Sequence, residues 1–135
     1  MCDADIGTRV TAGMAALDRR CRPGWEDSID VTSLDVGDTD RCPLGQVFGS
    51  YEQGKKKLIL GDRDTERCGF FAPAGDKEYA ALTEEWGERI LARRAEAKRQ
   101  RHLRSRRTFD RAARTITRTS RALSIATAAL INVFT

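Results

Sequence analysis

Paired metal ligands are missing from this sequence of 135 residues. The cysteines are Cys2, Cys21, Cys42 and Cys68, no two within five residues of each other, and the only histidine is His102. Zinc ribbons and fingers need ligands two to four residues apart, so both are excluded. A Ser–His or Cys–His relay would need the segment around His102 to fold over the rest of the chain. A glycine-rich phosphate loop is also missing. The run Asp62-Arg63-Asp64-Thr65-Glu66 begins like a calcium loop, but Arg67 stands where glycine is needed and Pro73 where the bidentate glutamate belongs. A solvated turn is expected there. No metal site, cofactor or catalytic set emerges, and the chain reads as non-enzymatic.

Long apolar runs are missing too. The first residues, MCDADIG, are acidic and lack the apolar core of a signal peptide. Reduced thiols in a cytoplasm are therefore expected. The uncharged run ALSIATAALINVFT, residues 122–135, has 14 residues, whereas crossing a bilayer takes about 20. It suits a packing or association face, and membrane contact ranks low. Glycine and proline do not occur after Ile90, so a helix beginning earlier can run on, with a break expected near Ser105–Thr108.

What the sequence does have is charge, unevenly placed. Residues 1–92 hold 12 Lys+Arg against 18 Asp+Glu, a balance of −6. Residues 93–135 hold 12 Lys+Arg against Glu96 and Asp110 alone, a balance of +10. An acidic domain over 1–92 and a basic amphipathic segment over 93–135 point to a polyanionic partner for the latter.

Apolar spacing organises the first part. Ile6, Val10, Met14 and Leu17 form one helical stripe, with Thr8 or Asp5 as cap and Pro23-Gly24 as stop. Val31, Leu34 and Val36 fit either a short strand or a turn, and a minor strand pair around 29–36 and 58–60 is an open alternative. In RCPLGQVFGSYEQGKKK, Leu44, Val47, Phe48 and Tyr51 share a face between Pro43 and Gly54. One helix is expected there, opened by Pro43, capped by Asp40 or Cys42, and ended by Gly54. All four should be core, and Phe48→Ala should cost about 3–5 kcal/mol. Gly45 and Gly49 suit the close approach of another backbone. Residues 61–69 read as loop, Phe70-Phe71 as a core plug. Asp76 should cap a long helix with Tyr79, Leu82, Trp86 and Ile90 on one face. Glu84, Glu85 and Glu88 suit its early turns. The expected fold class is mainly α, a small orthogonal helical body with a long basic C-terminal helical arm.

Leu17, Pro23-Gly24-Trp25, Ile29-Asp30, Leu34-Asp35, Cys42, Leu44-Gly45-Gln46, Phe48-Gly49, Tyr51, Gly69-Phe70, Tyr79, Leu82 and Trp86 stand out as landmarks of this part of the chain. Over residues 13–86 the chain resembles a family of small uncharacterised proteins of actinobacteriophages and prophages. The resemblance implies a phage or prophage origin and a cytoplasmic life in a bacterial host. It carries over no activity, and it stops short of the basic segment.

That segment carries the sharpest pattern. Arg104, Arg107, Arg111, Arg114, Arg118 and Arg121 are spaced three, four, three, four and three apart, so a helix gathers them into one stripe. Phe109, Ala113, Ile116, Leu123 and Leu130 form a second stripe, offset by two residues, or about 200° around the helix. Guanidinium forks can grip phosphates bidentately. Only Phe109 and Phe134 could stack on bases in this segment, so contact with the DNA or RNA backbone is expected rather than base recognition. The alternative is a protein–protein module, a host-takeover adaptor or self-assembling component, using Ile116, Leu123 and Leu130 at heptad spacing. Two to three heptads are marginal for an independent coiled coil.

Overall fold

The computed structural model describes the backbone of residues 5–133 and the side chains of residues 5–120. Cys2 lies outside the described residues. The chain is mainly α: five α-helices and one 3-10 turn, with no strand among the described residues. It divides into two units, Met1–Ala95 and Glu96–Thr135. Among the described residues no helix is long and apolar enough to cross a membrane.

Helix α1, Ile6–Arg20, buries Val10, Met14 and Leu17, the expected stripe, with Ile6 packed against the same core. Asp5 occupies the N-cap position, although its carboxylate makes no capping bond. Extended backbone at Cys21 ends the helix. Gly24, at φ 94°, then reverses the chain into the 3-10 turn Trp25–Ser28.

The alternative of a strand pair over 29–36 and 58–60 is not realised. Side chains satisfy the backbone there before a ladder can. Asp30 accepts from the Thr32 N–H at 3.0 Å and from the Thr32 and Ser33 hydroxyls at 2.6 and 3.1 Å. Gln46 accepts from the Asp30 N–H at 2.6 Å and donates to the Asp30 and Arg41 carbonyls at 3.2 and 2.9 Å. Thr83 accepts from the Val36 N–H at 3.0 Å. Ile29, Leu34 and Val36 still reach the core from these turns.

The expected helix after Pro43 is two helices, α2 at Pro43–Phe48 and α3 at Tyr51–Leu58. Cys42 caps α2, its Sγ accepting from the Gly45 N–H at 3.2 Å. Gly49, at φ 99°, stops it, and Ser50 starts α3 by accepting from the Gln53 N–H at 3.2 Å. Gly54 therefore sits inside α3 rather than ending it. A Cβ there would lie 2.6 Å from Leu44 Cβ, so its bareness lets α3 close on α2. Gly45 does meet another backbone: its Cβ would lie 2.4 Å from the Thr39 carbonyl oxygen.

Leu44 is fully buried, but Val47, Phe48 and Tyr51 are only half-buried. All three still pack against the core, from its edge. Residues 62–67 are also not loop: they form α4, Asp62–Arg67, opened by the Asp64 carboxylate accepting from the Gly61 N–H at 3.0 Å. The calcium-like run is thus a capped helix.

Helix α5, Asp76–Val133, has no break at 105–108; the Thr108 hydroxyl donates to the Arg104 carbonyl at 2.9 Å, a bond that leaves the helical ladder intact. Asp76 stands in its first turn. Leu82, Trp86 and Ile90 are fully buried, and Tyr79 is half-buried. Trp86 is the hub: its indole N–H donates to the Gly69 carbonyl at 2.8 Å, and its ring stacks on Phe70 with centroids 5.3 Å apart. Phe71 is not core. It is 41% exposed and meets Tyr79 edge-on at 6.3 Å.

Candidate nucleic-acid interface

Residues 96–120 of α5 hold nine Lys+Arg against Glu96 and Asp110. The helix persists through this charge because glycine and proline are absent and arginine is a good helix former. Glu96 relieves some repulsion by accepting from Arg99 at 2.5 Å and from Gln100 at 2.9 Å. Those two hydrogen bonds, Gln100 first, hold its carboxyl below the usual range.

Further along, every residue from 101 to 120 is exposed. Arg104, Arg107, Arg111, Arg114 and Arg118 flank one shallow groove along the helix. Among the described residues none of these five guanidiniums makes an ion pair. Arg121 lies in the α5 backbone, but its side chain is outside the described residues. Three residues that the stripe did not single out share the groove: Thr108, Asp110 and Thr115. Thr115, like Thr108, spends its hydroxyl proton on a carbonyl one turn back, that of Arg111 at 3.0 Å. The groove's donors are thus the guanidinium forks. Asp110 was legible only as an odd sign, the sole acid after Glu96, three residues from Arg107 and four from Arg114.

Phe109 and Ile116 are 75% and 67% exposed. Ala113 of that apolar stripe is exposed as well, and the side chains of Leu123 and Leu130, like those of the whole apolar run 122–135, lie outside the described residues.

The first unit offers a different surface. Val47 and Phe48 line a shallow groove with Cys21 and Trp25, rimmed by exposed Arg20 and Arg22. The cysteines there are not activated. Burial pushes the Cys21, Cys42 and Cys68 thiols up, the opposite of what a nucleophile needs. Among the described residues no three His, Cys, Asp or Glu side chains are grouped to hold a metal ion.

Compared with family models, curated proteins and solved structures, the chain has no match.

Proposed function

We propose that the chain is a non-enzymatic phage accessory protein whose α5 arginine face binds nucleic-acid backbone in a bacterial host's cytoplasm. The observation that carries this is the groove of five exposed guanidiniums without ion-pair partners among the described residues. Solvated arginines need not align, whereas phosphate contact favours a row of forks. The phage assignment rests on the resemblance over residues 13–86 and on nothing in the basic segment beyond Ile90.

Fluorescence anisotropy on a labelled duplex across salt concentrations tests the reading. With five or six stripe arginines on phosphates, log affinity falls against log salt with a slope of roughly −5. Replacing Arg104, Arg111 and Arg118 by Gln should flatten that slope by about 3. A slope near zero for the parent protein, or no binding at low salt, sinks it.

The exposed Phe109 and Ile116 favour a second reading, contact with another protein or a second copy through the opposite face. Light scattering on the parent and on a Phe109→Ser/Ile116→Ser variant separates the two. Equal monomer masses for both rule out self-association through that face.

A further inference from the structure

A carboxylate is out of place in a groove built for phosphates. Asp110 lines the same groove as Arg107, Arg111 and Arg114 and is exposed. Against a phosphate it can only repel. The other acid of this segment, Glu96, is already engaged by Arg99 and Gln100. Asp110 is not: although arginines stand three residues before it and four after it, it makes no ion pair among the described residues. Its acceptor oxygens are unspent beside the row of guanidiniums.

What a nucleic acid offers a carboxylate is an N–H donor, and the donor that Asp and Glu read in the major groove is the cytosine N4 amino group. Arginine forks read the O6 and N7 acceptors of the paired guanine. We infer that Asp110, with Arg107 or Arg114, reads neighbouring G·C base pairs in the major groove of duplex DNA, while the other stripe arginines hold phosphates. The inference rests on the nucleic-acid reading above and deepens it from backbone contact to a base preference.

Three features select duplex DNA. The B-form major groove is about 12 Å wide and admits an α-helix. The A-form RNA major groove is too deep and narrow for side chains to read. Single strands call for aromatic stacking platforms, and none of the groove-lining residues is aromatic. Spacing agrees as well. Three and four residues along a helix advance roughly 4.5 and 6 Å, so Asp110 and a flanking arginine fall within one to two base-pair steps of about 3.4 Å.

The test uses the full-length protein and fluorescence anisotropy at low salt. The probes are a G·C-rich duplex, an A·T duplex, the G·C duplex carrying N4-methylcytosine, a single strand and an RNA duplex. Circular dichroism confirms that each variant keeps its helix. The parent should prefer the G·C duplex over the A·T duplex by roughly ten-fold, and N4-methylation should cut that preference to the level of Asp110→Ala. Asp110→Ala should ignore the methyl group and keep only the weaker G·C preference that the arginine–guanine contact supplies. Asp110→Asn, whose amide suits adenine N6 and N7, should shift the preference towards A·T. A uniform rise in affinity for Asp110→Ala, with no preference in the parent, overturns the inference and makes Asp110 a simple repulsive charge. Tighter binding to the single strand or to RNA also overturns it, while leaving backbone binding intact. Absence of binding to every probe overturns the nucleic-acid reading itself.

Discussion

Arg93 lies with its guanidinium carbon 5.1 Å from the centre of the Trp25 ring, and both residues donate to the same carboxylate. Trp25 Nε1 donates to Asp18 Oδ1 at 2.8 Å; Arg93 donates to Oδ1 and Oδ2 at 2.8 and 3.0 Å. This cluster ties the end of α1 to the 3-10 turn and to α5 inside the first unit. Partial burial raises the Asp18 pKa, but the Arg93 and Trp25 hydrogen bonds outweigh it and hold the carboxyl below its ordinary 3.8.

A pH dependence follows from that depression. Glu78 behaves likewise: burial raises it, yet Arg9 and the Ala74 N–H bring it below 4.5. A depressed carboxyl contributes stability above its unfolded pKa and loses it as pH falls through the folded value. The melting temperature should therefore hold steady from neutrality down to about pH 5 and then drop steadily through the carboxylate range. Asp18→Asn and Glu78→Gln should each make that acid limb shallower in thermal melts. A limb unchanged in both variants would show that other carboxylates set it.

Arg9 is the most consequential charge of the first unit. Its Nε donates to the Glu66 carbonyl at 2.8 Å, one terminal nitrogen donates to the Phe71 carbonyl at 2.6 Å, and the other meets Glu78. One guanidinium thus fastens α1 to the end of α4, the following loop and the first turn of α5. Arg9→Ala leaves two carbonyls and a carboxylate without that partner and should cost about 3 kcal/mol in denaturant unfolding. Arg9→Lys keeps the charge but not the fork, and should recover less than half of the loss.

Bare backbone at Gly13 is a packing requirement. A Cβ there would lie 2.1 Å from the Cys68 carbonyl oxygen and 2.6 Å from Trp86 Cζ2. Neither the backbone nor the hub tryptophan can yield cheaply, so Gly13→Ala should cost at least about 2 kcal/mol by overpacking. Gly7→Ala is the control within the same helix, since its nearest neighbours are flexible side-chain ends at 3.2 Å and beyond. It should stabilise slightly, as alanine favours a helix. Equal melting temperatures for the two variants would remove the close-approach argument.

The sequence disclosed what apolar periodicity encodes. The stripes Val10–Met14–Leu17 and Leu82–Trp86–Ile90 are buried as spaced, because a 3.6-residue repeat of large side chains has one way to leave water. Helix α4 was illegible, since Asp62–Arg67 contains no apolar residue and its start depends on Asp64 reaching back to Gly61. The break at Gly49 was hidden by an apolar spacing that continues across it; Ser50, an N-cap residue, was the overlooked signal. In the candidate site the arginine row was legible from spacing alone. Asp110 was legible only as a sign in the charge balance, because spacing alone does not show that it lacks an ion pair among the described residues.

Burial now reorders the mutational costs along α2. Leu44 is fully buried and fills the space left by Gly54, whereas Phe48 is half-buried beside the groove rimmed by Arg20 and Arg22. Leu44→Ala should cost about 3 kcal/mol. Phe48→Ala should cost less, about 2 kcal/mol, since part of its ring already meets water. Paired urea melts decide the order. Should Phe48→Ala prove the more damaging, the half-buried ring packs against more than this geometry shows.

Ile59 closes α3 in a conformation that suits glycine. It sits at φ 57°, ψ 51°, in the left-handed region, and is 70% exposed. Its N–H donates to the Lys56 carbonyl at 3.2 Å, and the Leu60 N–H donates to the Lys55 carbonyl at 2.9 Å, so the turn terminates the helix by wrapping back. Glycine is the usual occupant of that position because a Cβ clashes there, and a β-branched side chain clashes more. Replacing Ile59 by Gly removes roughly 1–2 kcal/mol of strain and returns part of it as unfolded-state entropy. The net should be a gain of about 0.5–1 kcal/mol, a rise of a few degrees in melting temperature for a unit of this size. Little hydrophobic burial is lost, because most of the side chain already faces water. Ile59→Asn, which tolerates the left-handed region, should fall between the parent and the glycine variant. A lower melting temperature for Ile59→Gly would mean that the exposed isoleucine holds α3 through contacts worth more than the strain it carries.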